Sequence, residues 1–483
     1  MSDSPPVARG AGRWADTFVL AAVLLALIVL LRQNAIHGLD AQHLIGMVRD
    51  QGDLNYSHPL YLPLMHRWHA LLALLGCTPF ESLRLASGLG VVLGAVALHR
   101  AGLALGLPRA PALVATALAC SVPAVLFFAT VVELHGVFLA PAGVAFWLWA
   151  SANTTADPGA RTRRFAALGV ATAVASGVHT SGHFLLWLLP ALTAGFSGRR
   201  PPWRAFALTL GVHALVSLSL TLLLRTPSAG GGAGLGAALA DAFAYWAPRV
   251  PWAPHEIAAL LWREWVFPFL PLSVATCAAL AVRAQRRFAL LLLVGIAPLL
   301  GLSWLLLHRE LHERGAYLLP FAWPAALLVV CWWRPRLQLT AIGAALALAI
   351  GQVVVHDRVE DDYALRQTMR AAIGEHPALL ICLDAREVDQ AVRDLPTVTP
   401  RPIHLLAPAI LAGYDALCAE FDAWVAPHLA VGASVWLTPR AKTMLDLMEQ
   451  PAVARFKREH LVARYRLEPI ADPGCPAVRV LRR

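Results

Sequence analysis

What most constrains this chain is a succession of long apolar segments punctuated by arginine. A helix that crosses a bilayer needs roughly 17 to 25 mostly apolar residues, and about eleven segments meet that criterion. They are 15–31, 85–103, 110–131, 136–152, 165–180, 182–197, 205–224, 265–282, 288–307, 316–333 and 337–355. Hydrophobic residues make up 58% of the sequence and charged ones 14%, whereas a soluble domain carries about 25% charge. The chain therefore reads as an α-helical polytopic membrane protein. Segment 15–31 reads as a retained span, because no small-residue cleavage site follows it.

Arginine sets the orientation. With the N-terminus inside, Arg9 and Arg13, Arg100 and Arg109, Arg161, Arg163 and Arg164, Arg199, Arg200 and Arg204, Arg283, Arg286 and Arg287, and Arg334 and Arg336 all fall in inner connections. Stretch 60–76 is ambiguous, since His66, Arg67 and His69 interrupt its first half. Counting it as a span would turn every later basic loop outward, so it reads as an interfacial helix on the outer surface. The net charge of +10 is explained by this topology. No patch interleaves arginine with stacking aromatics, which excludes a nucleic-acid partner.

The outer side then holds residues 32–84, the turn at Glu133 and His135, loop 225–264, the turn 308–317 and a tail from His356 onward. Loop 225–264 opens with a glycine-rich run and continues with Tyr245, Trp246, Trp252, Trp262 and Trp265. These aromatics read either as an anchor at headgroup level or as a flap over a lipid-linked ligand. The tail, 356–483, holds both lysines, Lys442 and Lys457. Its short apolar runs at 378–383, 402–407, 434–439 and 477–482 alternate with helical patterns at 411–426 and 440–449, which predicts a small α/β accessory domain. The seven cysteines show no CxxC or Cys/His metal spacing, so disulfides are candidates only in the tail.

Ionisable residues next to spans mark candidate chemistry. The stretch 33–69 carries Asp40, His43, Asp50, Asp53, His58 and His66. Asp40 reads as the N-cap of a helix beginning at Ala41, as a general base for an acceptor hydroxyl, or as both. His43, one turn on, is placed to orient it, bind substrate or ligate a metal. Glu133 and His135 emerge at the outer end of a span, as an interfacial acid or as a partner for Asp40. His179 and His183 share a face if their helix is continuous, either as a metal pair or as polar lining of an outer cavity. The turn 308–317 supplies Arg309, Arg314 and Tyr317. Arg314 reads as a phosphate grip or as an ion-pair partner, and Arg84 repeats that pattern more weakly.

These residues resemble those of the GT-C class of membrane glycosyltransferases, which includes protein O-mannosyltransferases and aminoarabinose transferases acting on lipid A. The resemblance covers about residues 15–335 and rests on short motifs in order. They are Gly38-Leu39-Asp40-Ala41-Gln42-His43, Tyr56-Ser57-His58-Pro59-Leu60, Arg84-Leu85-Ala86, Ala129-Thr130-Val131-Val132-Glu133-Leu134-His135 and Arg314-Gly315-Ala316-Tyr317-Leu318-Leu319-Pro320. The resemblance implies inverting transfer of a sugar from a polyprenyl-phosphate donor to an acceptor hydroxyl on a protein, lipid or glycan. It implies this chemistry at the outer face of a bacterial plasma membrane, with a divalent metal ion as the candidate cofactor. Asp40 then maps to the base, Glu133 to the second acid and Arg314 to the phosphate position. Two residues depart from the pattern: His43 stands where the family has a second carboxylate, and Leu60 stands where it has a second proline. The rival classes are a transporter or lipid flippase and an inactive scaffold. No internal repeat favours transport, and His213, alone inside a span, reads as a packed, hydrogen-bonded residue.

Overall fold

A computed structural model describes residues 12–33, 37–49, 58–197, 201–224, 254–306, 314–357, 369, 371–374, 376–382, 398–448, 450–469 and 478–482. The chain divides into two compact units, Met1–Arg32 with Leu44–Val353, and Gln33–His43 with Val354–Arg483.

In the first unit every one of the eleven expected segments is helical. Among the described residues, five helices are long and apolar enough to cross a membrane, or up to seven if each of two bent pairs is one span. One bent pair is α5 (Arg109–Ser121) and α6 (Pro123–Thr130), which meet at 67°. The bend falls at Pro123, whose ring disfavours a helix interior but suits the first helical position. The other pair, Pro254–Val266 and Leu270–Ala281, meets at 108°. Helix α3 (Tyr61–Ala73) has 13 residues, about 20 Å at 1.5 Å per residue, too short to cross. It buries Tyr61, Leu62 and Met65 while Leu64 and Leu71 face outward, as an interfacial helix does.

The centre of this unit is the pair α4 (Pro79–Ala104) and α7 (Leu134–Thr154), whose backbones touch through glycine. A Cβ on Gly90 would lie 2.3 Å from the Gly136 carbonyl oxygen, and one on Gly94 would lie 2.6 Å from that of Leu139. Small residues spaced four apart permit such an approach where no hydrophobic force drives helices together. Helix α3 is fastened to the start of α4, where Trp68 Nε1 donates to the Ser82 carbonyl at 2.7 Å and His69 pairs with Ser82 Oγ at 3.0 Å. The turn between them ends in a capping box of Thr78 and Glu81, which satisfies donors that helix starts otherwise leave open.

The tail carries a five-stranded sheet in the order β2-β1-β3-β5-β4. Strands β1 (Ala378–Cys382), β2 (Val398–Pro402) and β3 (Ser434–Leu437) are parallel, and β4 (Tyr465–Pro469) and β5 (Val478–Arg482) complete it antiparallel. The helix Tyr414–Ala430 buries Leu417, Phe421 and Val425 in the tail's core. One expected strand is not a strand. The run 403–406 is a 3-10 turn that buries Ile403 and Leu406 and exposes Leu405, a three-residue period rather than a two-residue one. Strand β4, in which Arg466 and Glu468 alternate with Tyr465 and Leu467, was not expected.

Candidate active site

The acid-bearing turn is built by the α6–α7 junction. β-Branched Val131 and Val132 favour extended backbone, and Glu133 is itself extended at the N-cap of α7. Ser87 of α4 holds this residue by its backbone, donating to the Glu133 carbonyl at 2.9 Å and accepting its N–H at 3.3 Å. The carboxylate turns inward, 4% exposed. Its Oε2 accepts the Leu134 N–H at 3.0 Å and lies 3.3 Å from His135 Nδ1. A helix N-terminus favours negative charge at this point.

Three further segments bring rings to His135. Helix α8 (Pro158–Val178) stops at His179, whose Nδ1 accepts the Ser181 N–H at 3.2 Å. The chain folds back so tightly that a Cβ on Gly182 would lie 2.3 Å from the Ser176 nitrogen. This bend sets the His179 ring 4.3 Å from that of His135. His58 stacks on His179 at 5.1 Å, and its loop is pinned by the Leu60 N–H, which donates to the Gly177 carbonyl at 2.9 Å. Tyr317 lies 5.8 Å from His135 and 5.6 Å from His179. Burial, then the neighbouring His135, pushes His58 down to about 4.

Arg314 joins this cluster through α6. Its guanidinium carbon lies 4.8 Å from the Phe127 ring, Phe127 meets Phe128 edge to face, and Phe128 lies 5.0 Å from His135. Arg314 and Gly315 both have left-handed backbone, with φ of 49° and 80°.

No family model matches the sequence, and no curated protein is similar to it in sequence. The fold is another matter. The crystal structure of ArnT from Cupriavidus metallidurans bound to undecaprenyl phosphate superposes with a TM-score of 0.61 at 13% identity, covering 98% of both chains. The fold is that of the GT-C glycosyltransferases. A second GT-C structure, the Archaeoglobus fulgidus oligosaccharyltransferase in complex with Zn and sulfate, superposes with a TM-score of 0.50 at 14% identity. It covers 97% of this chain and 73% of that one.

On this GT-C frame Glu133, His135, His58, His179 and Tyr317 come together in the helical unit, and Phe127 and Phe128 connect Arg314 to them. His183 does not join them. The chain turns between the expected spans 165–180 and 182–197, so the two histidines share no continuous helix. His183 pairs with His213 at 2.9 Å, which meets Thr172 Oγ1 at 3.0 Å. Among the described residues the two histidines thus face different partners rather than forming a metal pair, and His213 is packed and hydrogen-bonded, as expected. Arg84 lines a separate groove of about 350 Å³ with Arg32, Trp68 and Leu85, its guanidinium 5.0 Å from the Phe80 ring. Asp40 and His43 lie on helix α2 (Gly38–Arg49). Asp40 is inside the first turn of that helix, not its N-cap; the side chains of both residues, with Arg309, Asp50, Asp53, Tyr245, Trp246 and Trp252, lie outside the described residues. Among the described residues no three His, Cys, Asp or Glu are grouped to hold a metal ion. The sequence reading missed Tyr61, Ser87 and Glu264. An acid within the aromatic run of residues 262–269 was the available signal for Glu264; Ser87 gave none.

Proposed function

We propose that the chain is an integral-membrane glycosyltransferase that moves a sugar from a polyprenyl-phosphate donor to an acceptor hydroxyl at the outer face of a bacterial plasma membrane. The observation that carries this reading is the GT-C architecture along nearly the whole chain, with Glu133 and His135 in a ring-lined cluster that Phe128 and Phe127 connect to Arg314. Undecaprenyl phosphate bound to ArnT supports the lipid class. The multi-pass helical unit is the membrane domain, and residues 356–483 form an accessory domain on the outer side.

In the proposed reaction Asp40 takes the proton of the acceptor hydroxyl as general base, with His43 three residues on along α2 orienting it. The acceptor oxygen attacks the anomeric carbon opposite the phosphate. The bond from that carbon to the phosphate oxygen breaks, and the configuration inverts. Polyprenyl phosphate leaves with its charge held by Arg314, since guanidinium pairs bidentately with phosphate oxygens. Glu133 opposes the positive charge that develops on the sugar ring, and His58, His135, His179 and Tyr317 line the sugar position. The test is transfer of labelled sugar from a panel of polyprenyl-phosphate sugars by lipid-reconstituted protein. Wild type transfers and folded Asp40→Asn loses about 100-fold or more. Absence of both transfer and lipid-donor binding across the panel overturns the reading.

A further inference from the structure

A buried carboxyl group that the transfer reaction does not use reaches the turn bearing Arg314. Glu264 is 3% exposed and sits in the widened turn Trp262–Val266, just before the 108° bend into the helix Leu270–Ala281. Its Oε2 accepts the Gly315 N–H at 2.9 Å, across 51 residues of sequence.

That turn needs an external hold. A left-handed backbone costs an L-residue such as arginine roughly 1–2 kcal/mol, and such conformations persist only where the surroundings enforce them. The next residue, with φ of 80°, is glycine. A Cβ there would lie 2.7 Å from the Phe269 ring and 3.0 Å from the Glu264 carbonyl oxygen. The 262–269 segment therefore grips the turn twice, by accepting the Gly315 N–H at the Glu264 side chain and by close contact from Glu264 backbone and Phe269. What this fixes is the exit direction of Arg314, which carries its guanidinium over Phe127.

We propose that Glu264 is a positioning residue: its carboxyl group, bonded to the Gly315 amide, holds the left-handed turn that presents Arg314 to the phosphate of the lipid donor. This rests on the reading of Arg314 as the phosphate-binding arginine. Because the carboxyl is engaged by a peptide N–H, a glutamine carbonyl can replace it, whereas alanine cannot and aspartate is one methylene short.

The experiment uses full-length protein in nanodiscs, with two readouts on wild type, Glu264→Ala, Glu264→Gln, Glu264→Asp and Arg314→Gln. One readout is hydrogen exchange at the Gly315 amide, and the other is binding of a long-chain polyprenyl phosphate. Glu264→Ala is expected to speed Gly315 exchange and weaken lipid-phosphate binding by about tenfold or more each, the size of one lost hydrogen bond to a charged group. Glu264→Gln stays within about threefold of wild type in both. If Glu264→Ala fails to fold, Glu264→Asp gives the same test with an intermediate loss. Wild-type exchange in the alanine or aspartate variant overturns the anchoring, and fast exchange with unaltered binding overturns the positioning role. Equal binding by wild type and Arg314→Gln overturns the phosphate reading of Arg314, and the exchange data separate that failure from a failure of Glu264.

Discussion

Glu133 in the helical unit and Asp422 in the tail are both carboxylates beside a histidine with a tyrosine nearby, yet their surroundings are finished differently. Asp422 accepts from the Tyr465 hydroxyl at 2.6 Å, pairs with His460 at 2.8 Å and is bridged by Arg464. Partial burial works against its charge, but the bonds from Tyr465 and His460 and the charges of His460 and Arg464 hold its carboxyl below the usual range. This network is closed, as a structural one is. Around Glu133, the Tyr61 hydroxyl is fully buried in the field of the carboxylate. Neither that hydroxyl nor His58 Nδ1 has a hydrogen-bond partner among the described residues. Each such group costs about 1–3 kcal/mol, a cost explained where a ligand supplies the missing partner. The comparison teaches that a carboxylate–histidine pair alone marks neither structure nor chemistry; the open groups around it do.

The strongest way to break the contrast is to remove the platform under one side. Gly94→Leu forces a side chain into the 2.6 Å contact with the Leu139 carbonyl, and we expect loss of folded protein in detergent, read by size exclusion. A Gly94→Leu protein that keeps wild-type stability would contradict the α4–α7 packing. Next, Asp422→Ala leaves Tyr465 and His460 without their acceptor and is expected to cost the tail about 2–3 kcal/mol. Limited proteolysis of the tail reads that loss, with sugar transfer unchanged.

The sharpest test pairs two tyrosines. Tyr465→Phe is expected to destabilise the tail by about 1–2 kcal/mol. Tyr61→Phe, which removes a buried hydroxyl without a partner, leaves the helical unit equal in stability or about 1 kcal/mol more stable while lowering transfer. Thermal melts with the transfer assay distinguish the two signs. A pH effect separates the two sites further. Folded His58 titrates at about 4 against 6.5 for the free side chain, so the unfolded state binds more protons between those values. Its contribution is full above 6.5 and lost as pH falls toward 4, and His58→Asn should flatten that window in melts of the helical unit. The Asp422 contribution is present above about 3.9. It is lost only as pH falls through the lower folded value, so the tail should resist mild acid longer.

How much of this was legible depended on the length of the signal. Apolar segments of about 20 residues announce helices whatever their neighbours do, and all eleven are helical. Among the described residues, however, five, or up to seven with the bent pairs, are long and apolar enough to cross a membrane. Breaks inside the segments are legible only in part: segment 110–131 reads as one span but bends at Pro123. The boundary near Gly182 falls between two expected segments, and only its tightness, Gly182 folding back onto Ser176, lies beyond any local pattern. The Glu133–His135 pair was readable because an acid at a span end is uncommon in this chain, and Arg314 because the outer connections hold fewer arginines than the inner ones. Tyr61 looked like one apolar residue of an interfacial helix, and Ser87 like one polar residue in a span. In the tail, β4 alternates as a strand does, but at five residues directly behind the helix that ends at Arg464 it offers no continuous apolar run to mark it.

The central claim is that the Glu133 cluster does chemistry and the Asp422 network does not. It is tested most directly by sugar transfer from polyprenyl-phosphate donors in reconstituted vesicles, comparing wild type, Glu133→Gln and Asp422→Asn. The account predicts that folded Glu133→Gln loses about 100-fold or more while Asp422→Asn transfers at the wild-type rate with a weaker tail. Wild-type transfer by Glu133→Gln would contradict it.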